Sequence, residues 1–552
     1  MSGATDIPGM SSNGYSRASP AQASADAIPL LVDGTYHLFH LTTPPDTVHH
    51  PGRLRSSWSR LRSDDLRTWT RDAEPAITPA GGKNASGPDA DGAWTGSAII
   101  GPNNAMHIFY TGYNLSQSGR QVILHAVSSD KHGTHFTKSN SPITITSPPS
   151  HRAAFEAIDF RDPFVFFHAP TSLYWMLVAT RLSTGPHWTR GCLALLTSPN
   201  LSSWALDPAP FYAPNDLLCP ECPELFPLPN GKWYLVYSRF TAPDAGTVYR
   251  VGDSARGPFR IPRDGSNGRL DGRRWYAAKS CPKKGEPGKR VFWGWTGDWC
   301  ERDGKWLWGG DLCLPREVSA NADGTLRMEP VREALDALML DQNHVDSAST
   351  LPARFALSAV GSTATRFLDV PRTAAARQAY LLSFTIASQP TASSFGVLLR
   401  NDANLRGHRL SFRPLSLPAP APAQQYYSIT LHTDLAPLDD FWADQYSLYV
   451  PRGVDGPELV RHDGVALESD AVVRLLVQGD VVQCFVGGRG ITFRLGRGAE
   501  DVDGVGAEKD GLADGEAVKQ ASDEHAVKEL GFFAQDGDVV FDRLALRFAG
   551  MG

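Results

Sequence analysis

The chain lacks the features that would place it in a membrane, on a nucleic acid or inside a disulfide framework. No run approaches the ~18–20 consecutive apolar residues that span a bilayer. The opening stretch MSGATDIPGMSSNGYSRASPAQASADAIPL has no basic segment followed by an unbroken apolar one, so it does not read as a secretory signal. Lys and Arg total 53 against 59 Asp and Glu, with no basic run that could neutralise a phosphate backbone. Neither a membrane nor a nucleic acid is therefore expected as a partner. Cysteine is scarce and odd in number: Cys192, Cys219, Cys222, Cys281, Cys300, Cys313 and Cys484 are the 7 in 552 residues. That usage suits a reducing compartment, and the expected location is cytoplasmic. Cys219 and Cys222 form a Cys-x-x-Cys pair, but no second pair stands ready to close a zinc site, and His49-His50 and the other histidines lack ligand spacing. No metal and no cofactor are expected. Helical periodicity is almost absent between Pro29 and Val318.

What is present in that stretch is a repeat. Tyr36-His-Leu-Phe-His, Met106-His-Ile-Phe-Tyr, Tyr174-Trp-Met-Leu-Val, Trp233-Tyr-Leu-Val-Tyr and Val291-Phe-Trp-Gly-Trp are short aromatic runs that favour strands. They recur every ~60–70 residues, a period that belongs to stacked supersecondary units. Most follow turn residues, such as Asp33-Gly34 and Asn230-Gly231. Behind them a second element recurs: Ser63-Asp-Asp-Leu-Arg-Thr-Trp69, Ser129 to Phe136, Ser198-Pro-Asn-Leu-Ser-Ser-Trp204 and, more loosely, Ser254 to Phe259. One aromatic strand, one partner strand and a capped turn, repeated five times, predict a five-bladed β-propeller.

From about residue 345 the pattern changes to alternating strands such as Ser394-Phe-Gly-Val-Leu-Leu-Arg and Val472-Val-Arg-Leu-Leu-Val, which predict an antiparallel β-sandwich. The expected class is thus all-β. The expected division is a disordered N-terminus over 1–22, a propeller over 23–327, a linker helix over 328–344 and a sandwich over 345–552. An acid- and glycine-rich insertion around 497–528 is too poor in apolar residues to pack.

In a propeller the first strand of each blade lines the central funnel, and three acids fall where such strands belong: Asp26, Asp162 and Glu221. Their surroundings carry a resemblance. Phe160-Arg161-Asp162-Pro163-Phe164 is similar to the arginine-aspartate-proline motif of the family 32 glycoside hydrolases, which include invertases, inulinases and levanases. Pro220-Glu221-Cys222-Pro223 resembles that family's glutamate-cysteine motif, Trp94-Thr95-Gly96-Ser97 its aromatic-serine-glycine-serine motif, and Trp275-Tyr276-Ala277-Ala278-Lys279-Ser280 its tyrosine-alanine-serine-lysine stretch. Gly294-Trp295 and Leu314-Pro315-Arg316-Glu317 match the segments that close its propeller.

The resemblance implies cleavage of terminal β-D-fructofuranosyl residues from a small carbohydrate such as sucrose or a fructan, by double displacement. Asp26 would be the nucleophile, Glu221 the general acid/base, and Asp162 the stabiliser of an oxocarbenium-like transition state. A dry pocket or a neighbouring negative charge would keep the proton on Glu221 before attack. Arg161, Trp94, Thr95, Trp58 and Tyr276 would bind substrate, and Cys222 would pack behind Glu221. The sequence departs from the family at Ala25-Asp26-Ala27-Ile28-Pro29, where only the aspartate of the nucleophile motif is kept, and at Trp58-Ser59-Arg60, where Arg60 is expected to alter a subsite. Three other readings stay open: fructosyl transfer to a sugar, an inverting glycosidase like the propeller arabinofuranosidases and xylosidases, and a sugar-binding homologue with little turnover.

Overall fold

The computed structural model describes residues 5–7, 15–45, 55–80, 86–240, 245–300, 305–339, 352–368, 379–387, 390–402, 404–415, 426–433, 458–467, 471–495 and 528–548. They form two compact units, Met1–Asp298 with Leu307–Leu338, and Trp299–Trp306 with Met339–Met551.

The first unit is the five-bladed propeller. Its inner strands are Ser24–Val32, Gly92–Ile100, Phe155–His168, Glu221–Pro227 and Tyr276–Lys283, for blades I to V. The five aromatic runs are the second strands, Thr35–Thr42, Met106–Asn114, Leu173–Leu182, Trp233–Arg239 and Glu286–Cys300, each antiparallel to its inner strand. Buried on both faces, a second strand can be apolar along its whole length, which is why it stands out in the sequence. Third strands follow, and the repeated Ser-x-Asp/Asn segments turn the chain toward the fourth. In blade I the Ser63 hydroxyl accepts from the Leu66 N–H at 2.8 Å, and Asp65 accepts from the N–H groups of Arg67 and Thr68. Ser198 and Asn200 repeat the pattern in blade III. Each turn delivers a tryptophan, Trp69 or Trp204, into the blade core. These are side-chain caps of the kind Ser, Asp and Asn supply in turns.

Two expectations shift at the unit's edges. Part of the span 1–22 is tied down: Thr5–Ile7 pairs with Trp69–Arg71, and Tyr15 is buried, its ring on Trp69 and its hydroxyl donating to the Cys313 carbonyl. The linker helix is shorter than 328–344. Met328 to Pro330 finish the strand Leu326–Pro330, paired to Arg316–Ala320, and among the described residues the helix is Arg332–Leu338, with 340–344 of the expected span outside them. The pull of strand pairing outweighs the local helical pattern there.

The second unit is the sandwich. Its core alternates along each strand, as with Phe395, Val397 and Leu399, and gathers Phe355, Phe384, Phe532 and Phe541 into one aromatic cluster. Each such ring contributes about 1.5–3 kcal/mol on burial. One long strand, Lys528–Phe548, pairs with three neighbours and so joins the sheet's parts. The insertion expected around 497–528 lies, but for Lys528, outside the described residues.

Candidate active site

The inner strands meet through hydrogen bonds between blades. Val165 N–H donates to the Ser97 hydroxyl and Cys222 N–H to the Asp162 carboxylate, while Ala277 N–H of blade V donates to the Ser238 hydroxyl on the second strand of blade IV. Every inner strand breaks register: between Ala25 and Ala27, Trp94 and Gly96, Arg161 and Phe164, Glu221 and Glu224, and Tyr276 and Lys279, with a second break in blade III between Phe155 and Phe160 and in blade V between Pro282 and Lys283. In four of them a non-glycine residue at the break is left-handed, with φ of 24° at Asp26, 56° at Asp162, 51° at Cys222 and 49° at Ala277. In the other, Gly96 lies so close to the next strand that a Cβ would fall 1.8 Å from the Phe109 carbonyl oxygen. A β-bulge re-aims side chains, and left-handed non-glycine backbone costs about 1–3 kcal/mol per residue. These breaks re-aim side chains of the inner strands.

What they bring together is a closed circuit of contacts. Asp26 Oδ1 accepts from Trp295 Nε1 at 2.8 Å, and the Trp295 ring meets the edge of Tyr276. The Tyr276 hydroxyl donates to Glu221 Oε2 at 2.6 Å, and Arg161 Nη2 donates to Glu221 Oε1 at 2.8 Å. Arg161 Nε lies 3.8 Å from Asp162 Oδ2. That same oxygen accepts from Cys222 N at 3.0 Å, while Cys222 Sγ stands 3.8 Å from it and 3.9 Å from Asp26 Oδ2. The three acids expected from the sequence thus occupy one pocket, all buried, from blades I, III and IV.

The electrostatics follow from burial. The Asp162 carboxyl is pushed above its ordinary range by desolvation and, next, by Glu221 acting against Arg161; the Cys222 N–H and the Lys279 ammonium pull the other way. The Cys222 thiol is pushed far up, first by burial and then by Asp26 and Asp162, so it stays a neutral S–H between two carboxylates. Cys222 therefore sits between the aspartates rather than behind Glu221. Burial opposes the charge on Arg161, yet Cys219, Asp159, Glu221 and Asp162 hold the guanidinium firmly protonated.

Of the expected substrate-binding residues, Arg161 and Tyr276 touch Glu221 directly. Trp94 stacks on Tyr113 with ring centroids 4.2 Å apart. Thr95 is buried, and its carbonyl accepts from the Thr111 hydroxyl, which in turn accepts from the Asp162 N–H at 2.8 Å. Thr95 so supports Asp162 from beneath. Trp58 has 0% exposure; its ring packs on Phe39 and Tyr110, and its N–H donates to the Trp94 carbonyl. It is a core residue of blade I with no face to offer a sugar. Arg60 is likewise withdrawn, ion-paired to Asp72 and donating to the carbonyls of His132 and Gly133, so it does not shape a subsite. Trp295, Thr111 and Lys279 were not assigned roles from the sequence. Trp295 and Lys279 stand inside the recognised motifs, but nothing local distinguishes a tryptophan that donates to Asp26 from one that only packs.

The chain is thus of the class of five-bladed β-propellers, with two aspartates, a glutamate, an arginine and a tyrosine gathered from its inner strands. The comparisons with known proteins name the family within it. Residues 27–330 match the glycosyl hydrolases family 32 N-terminal domain, and the chain belongs to that family. It is 27% identical over 331 residues to the insoluble β-fructofuranosidase isoenzyme CWINV1 of Arabidopsis thaliana, covering 55% of this chain and 53% of that protein. It is 27% identical over 344 residues to the fructan 6-exohydrolase of Beta vulgaris, covering 58% and 54%. The chain spans about half the length of the curated relatives it matches. Among solved structures, the exo-inulinase of Aspergillus awamori matches with a TM-score of 0.64 at 20% identity, covering 98% of both chains. The fructan 1-exohydrolase IIa of Cichorium intybus, in complex with 1-kestose, matches with a TM-score of 0.63 at 19% identity, again covering 98% of both. These likenesses establish the propeller-and-sandwich fold.

Proposed function

We propose that the protein is a retaining β-fructofuranosidase that cleaves terminal fructosyl residues from sucrose or a fructan-like carbohydrate. The observation that carries this reading is the closed circuit joining Asp26, Glu221 and Asp162 through Trp295, Tyr276, Arg161 and Cys222. Asp26 attacks the anomeric carbon of the fructosyl unit while Glu221 gives its proton to the departing glycosidic oxygen, leaving fructose esterified to Asp26. Glu221 then takes a proton from water, whose oxygen displaces Asp26 and releases fructose. Asp162 and Arg161 hold sugar hydroxyls, and Asp162 steadies positive charge at the anomeric centre. Trp94, on the inner strand of blade II, is the aromatic ring this reading assigns to the sugar.

The relatives' activities on fructofuranosides and fructans support the sugar class. Wild-type protein is expected to release fructose from sucrose or inulin, the first-formed anomer by NMR keeping the substrate's configuration. Glu221→Gln should lower the rate at least ~100-fold, as loss of general acid catalysis does. Inverted product would instead favour direct attack by water, and no release from any fructoside would favour a sugar-binding protein. Cys192, Cys219, Cys222, Cys281, Cys313 and Cys484 are buried free thiols, which supports a reducing, cytoplasmic location; fractionation of the producing cell tests it. Among the described residues no helix is long and apolar enough to cross a membrane.

A further inference from the structure

Blade III reaches further past the pocket than its neighbour, blade IV. Glu221 opens the inner strand of blade IV and pairs with Ser238, one residue before the second strand ends. Arg161, which donates to Glu221, is the seventh residue of its inner strand; it pairs with Ala179, and the second strand runs on to Leu182. Three more residues at ~3.3 Å each carry blade III ~10 Å beyond Arg161 on that edge. The loop 183–190 caps this extension, and ion pairs pin it. Arg161 Nη1 donates to Asp159 at 2.9 Å, Arg181 Nη2 lies 2.6 Å from the other Asp159 oxygen, and Glu156 takes both Arg181 and Arg190. Two backbone bonds close the base, from Leu182 N–H to the Arg190 carbonyl and from Ser183 N–H to the Ala154 carbonyl. Arg181 Nη1 stands 3.3 Å from each His187 ring nitrogen, and the His187 ring meets Trp188 edge-on with centroids 5.0 Å apart. Trp188 is nonetheless 50% exposed, and Ile158, in the stretch where the register breaks ahead of Arg161, is 46% exposed.

We infer that Trp188 is a specificity-determining residue, a platform for the leaving-group side of the substrate that selects fructans of three or more sugar units over sucrose. Glu221 gives its proton to the departing oxygen, so the leaving group lies on the Glu221 side of the pocket, and Arg161 joins that carboxyl to blade III. The extension is longer than one sugar ring, which places the indole past the unit bonded directly to the fructosyl group. An aromatic face suits the C–H face of a sugar, and covering an open indole with one withdraws apolar surface from water. A loop tied by ion pairs holds that ring in place before substrate arrives, which lowers the ordering cost of binding. Sucrose has no unit that reaches it.

This inference rests on the hydrolase reading, and its test separates the two. Trp188 is exposed, so Trp188→Ala should keep the wild-type Tm. The ratio of kcat/KM for nystose, a four-unit fructan, to that for sucrose should fall ~3–10-fold in Trp188→Ala, chiefly through KM, and should stay near wild type in Trp188→Phe, which keeps a ring. An unmoved ratio in Trp188→Ala overturns the inference, while sucrose cleavage by the wild type leaves the hydrolase reading standing. A loss that came only from displacing Arg161 would lower both substrates alike and leave the ratio unmoved. Should the wild type split no fructoside, the hydrolase reading fails and calorimetry with nystose decides the inference. Binding that weakens ~3–10-fold in Trp188→Ala supports it; no binding, or binding equal in both proteins, overturns it.

Discussion

In the proposed reaction the Asp26 carboxylate must be both ionised and held in plane, and Trp295 supplies an N–H for the second task. Trp295 Nε1 lies 2.8 Å from Asp26 Oδ1, while the residues flanking Asp26, Ala25 and Ala27, are buried and have no polar side-chain atoms. A hydrogen bond to a charged acceptor contributes about 1.5–3 kcal/mol. Trp295→Phe, which keeps the aromatic packing and removes the donor, should lower kcat by ~10–100-fold with KM changed little. Equal loss in both parameters would instead mean that the indole binds substrate. The trio of acids was legible in the sequence because each stands shortly ahead of an aromatic strand that opens at Tyr36, Tyr174 or Trp233, with Arg161 or Cys222 beside two of them. Trp58 and Arg60 were misread because orientation is decided in three dimensions. Both lie on one short strand whose residues turn into the blade rather than toward the funnel, and no neighbour in the chain records that.

At the level of the element, the blade repeat was visible because every second strand is apolar and aromatic, whereas the bulges that make the site were not. A glycine would have flagged left-handed backbone, but Asp26, Asp162, Cys222 and Ala277 adopt it without that signal. Blade I carries a further consequence. His40, fully buried, faces Arg71 with Nε2 and the Leu41 carbonyl with Nδ1, so the neutral Nδ1–H tautomer satisfies both. Burial, helped by Arg71, drops it to about 3, and burial with Arg60 and Arg62 drops His37 to about 4. Both folded values lie below the ordinary one of 6.5, so the unfolded chain binds these protons first as pH falls. Stability is full above pH 6.5 and declines as pH falls toward about 4, by roughly 2–4 kcal/mol per histidine. His40→Gln should be less stable than wild type at pH 7, and the gap should narrow by pH 4. A gap in Tm that stays constant between those pH values would show that His40 does not titrate in this way.

On the scale of the whole propeller, a ring of blades has to be closed, and this chain closes it with its two ends of unit one rather than with a covalent link. The strand Lys305–Leu312 reaches the inner strand of blade I through the pairing of Ser24 with Gly310, and the segment ahead of that strand is drawn onto the same seam. The Ser16 carbonyl accepts from Leu312 N–H, and Arg17 grips two acids at once, Asp298 and Asp311. Its Nε and Nη2 meet Asp311, and Nη1 and Nη2 meet Asp298, a double fork that only a guanidinium can make. The acids are mostly buried, with side chains 11% and 15% exposed, so removing Arg17 leaves two like charges facing each other in a poorly hydrated seam. Breaking a buried pair in this way costs about 3–5 kcal/mol. Arg17→Ala should therefore lower Tm by several degrees. Asp298 stands three residues beyond Trp295, so loosening the seam should also reduce turnover while leaving the protein folded at 25 °C. Adding Asp298→Asn and Asp311→Asn to that variant removes the repulsion and should recover part of the lost Tm. If the triple variant is as unstable as Arg17→Ala alone, the seam depends on the packing of Tyr15 against Trp69 rather than on charge.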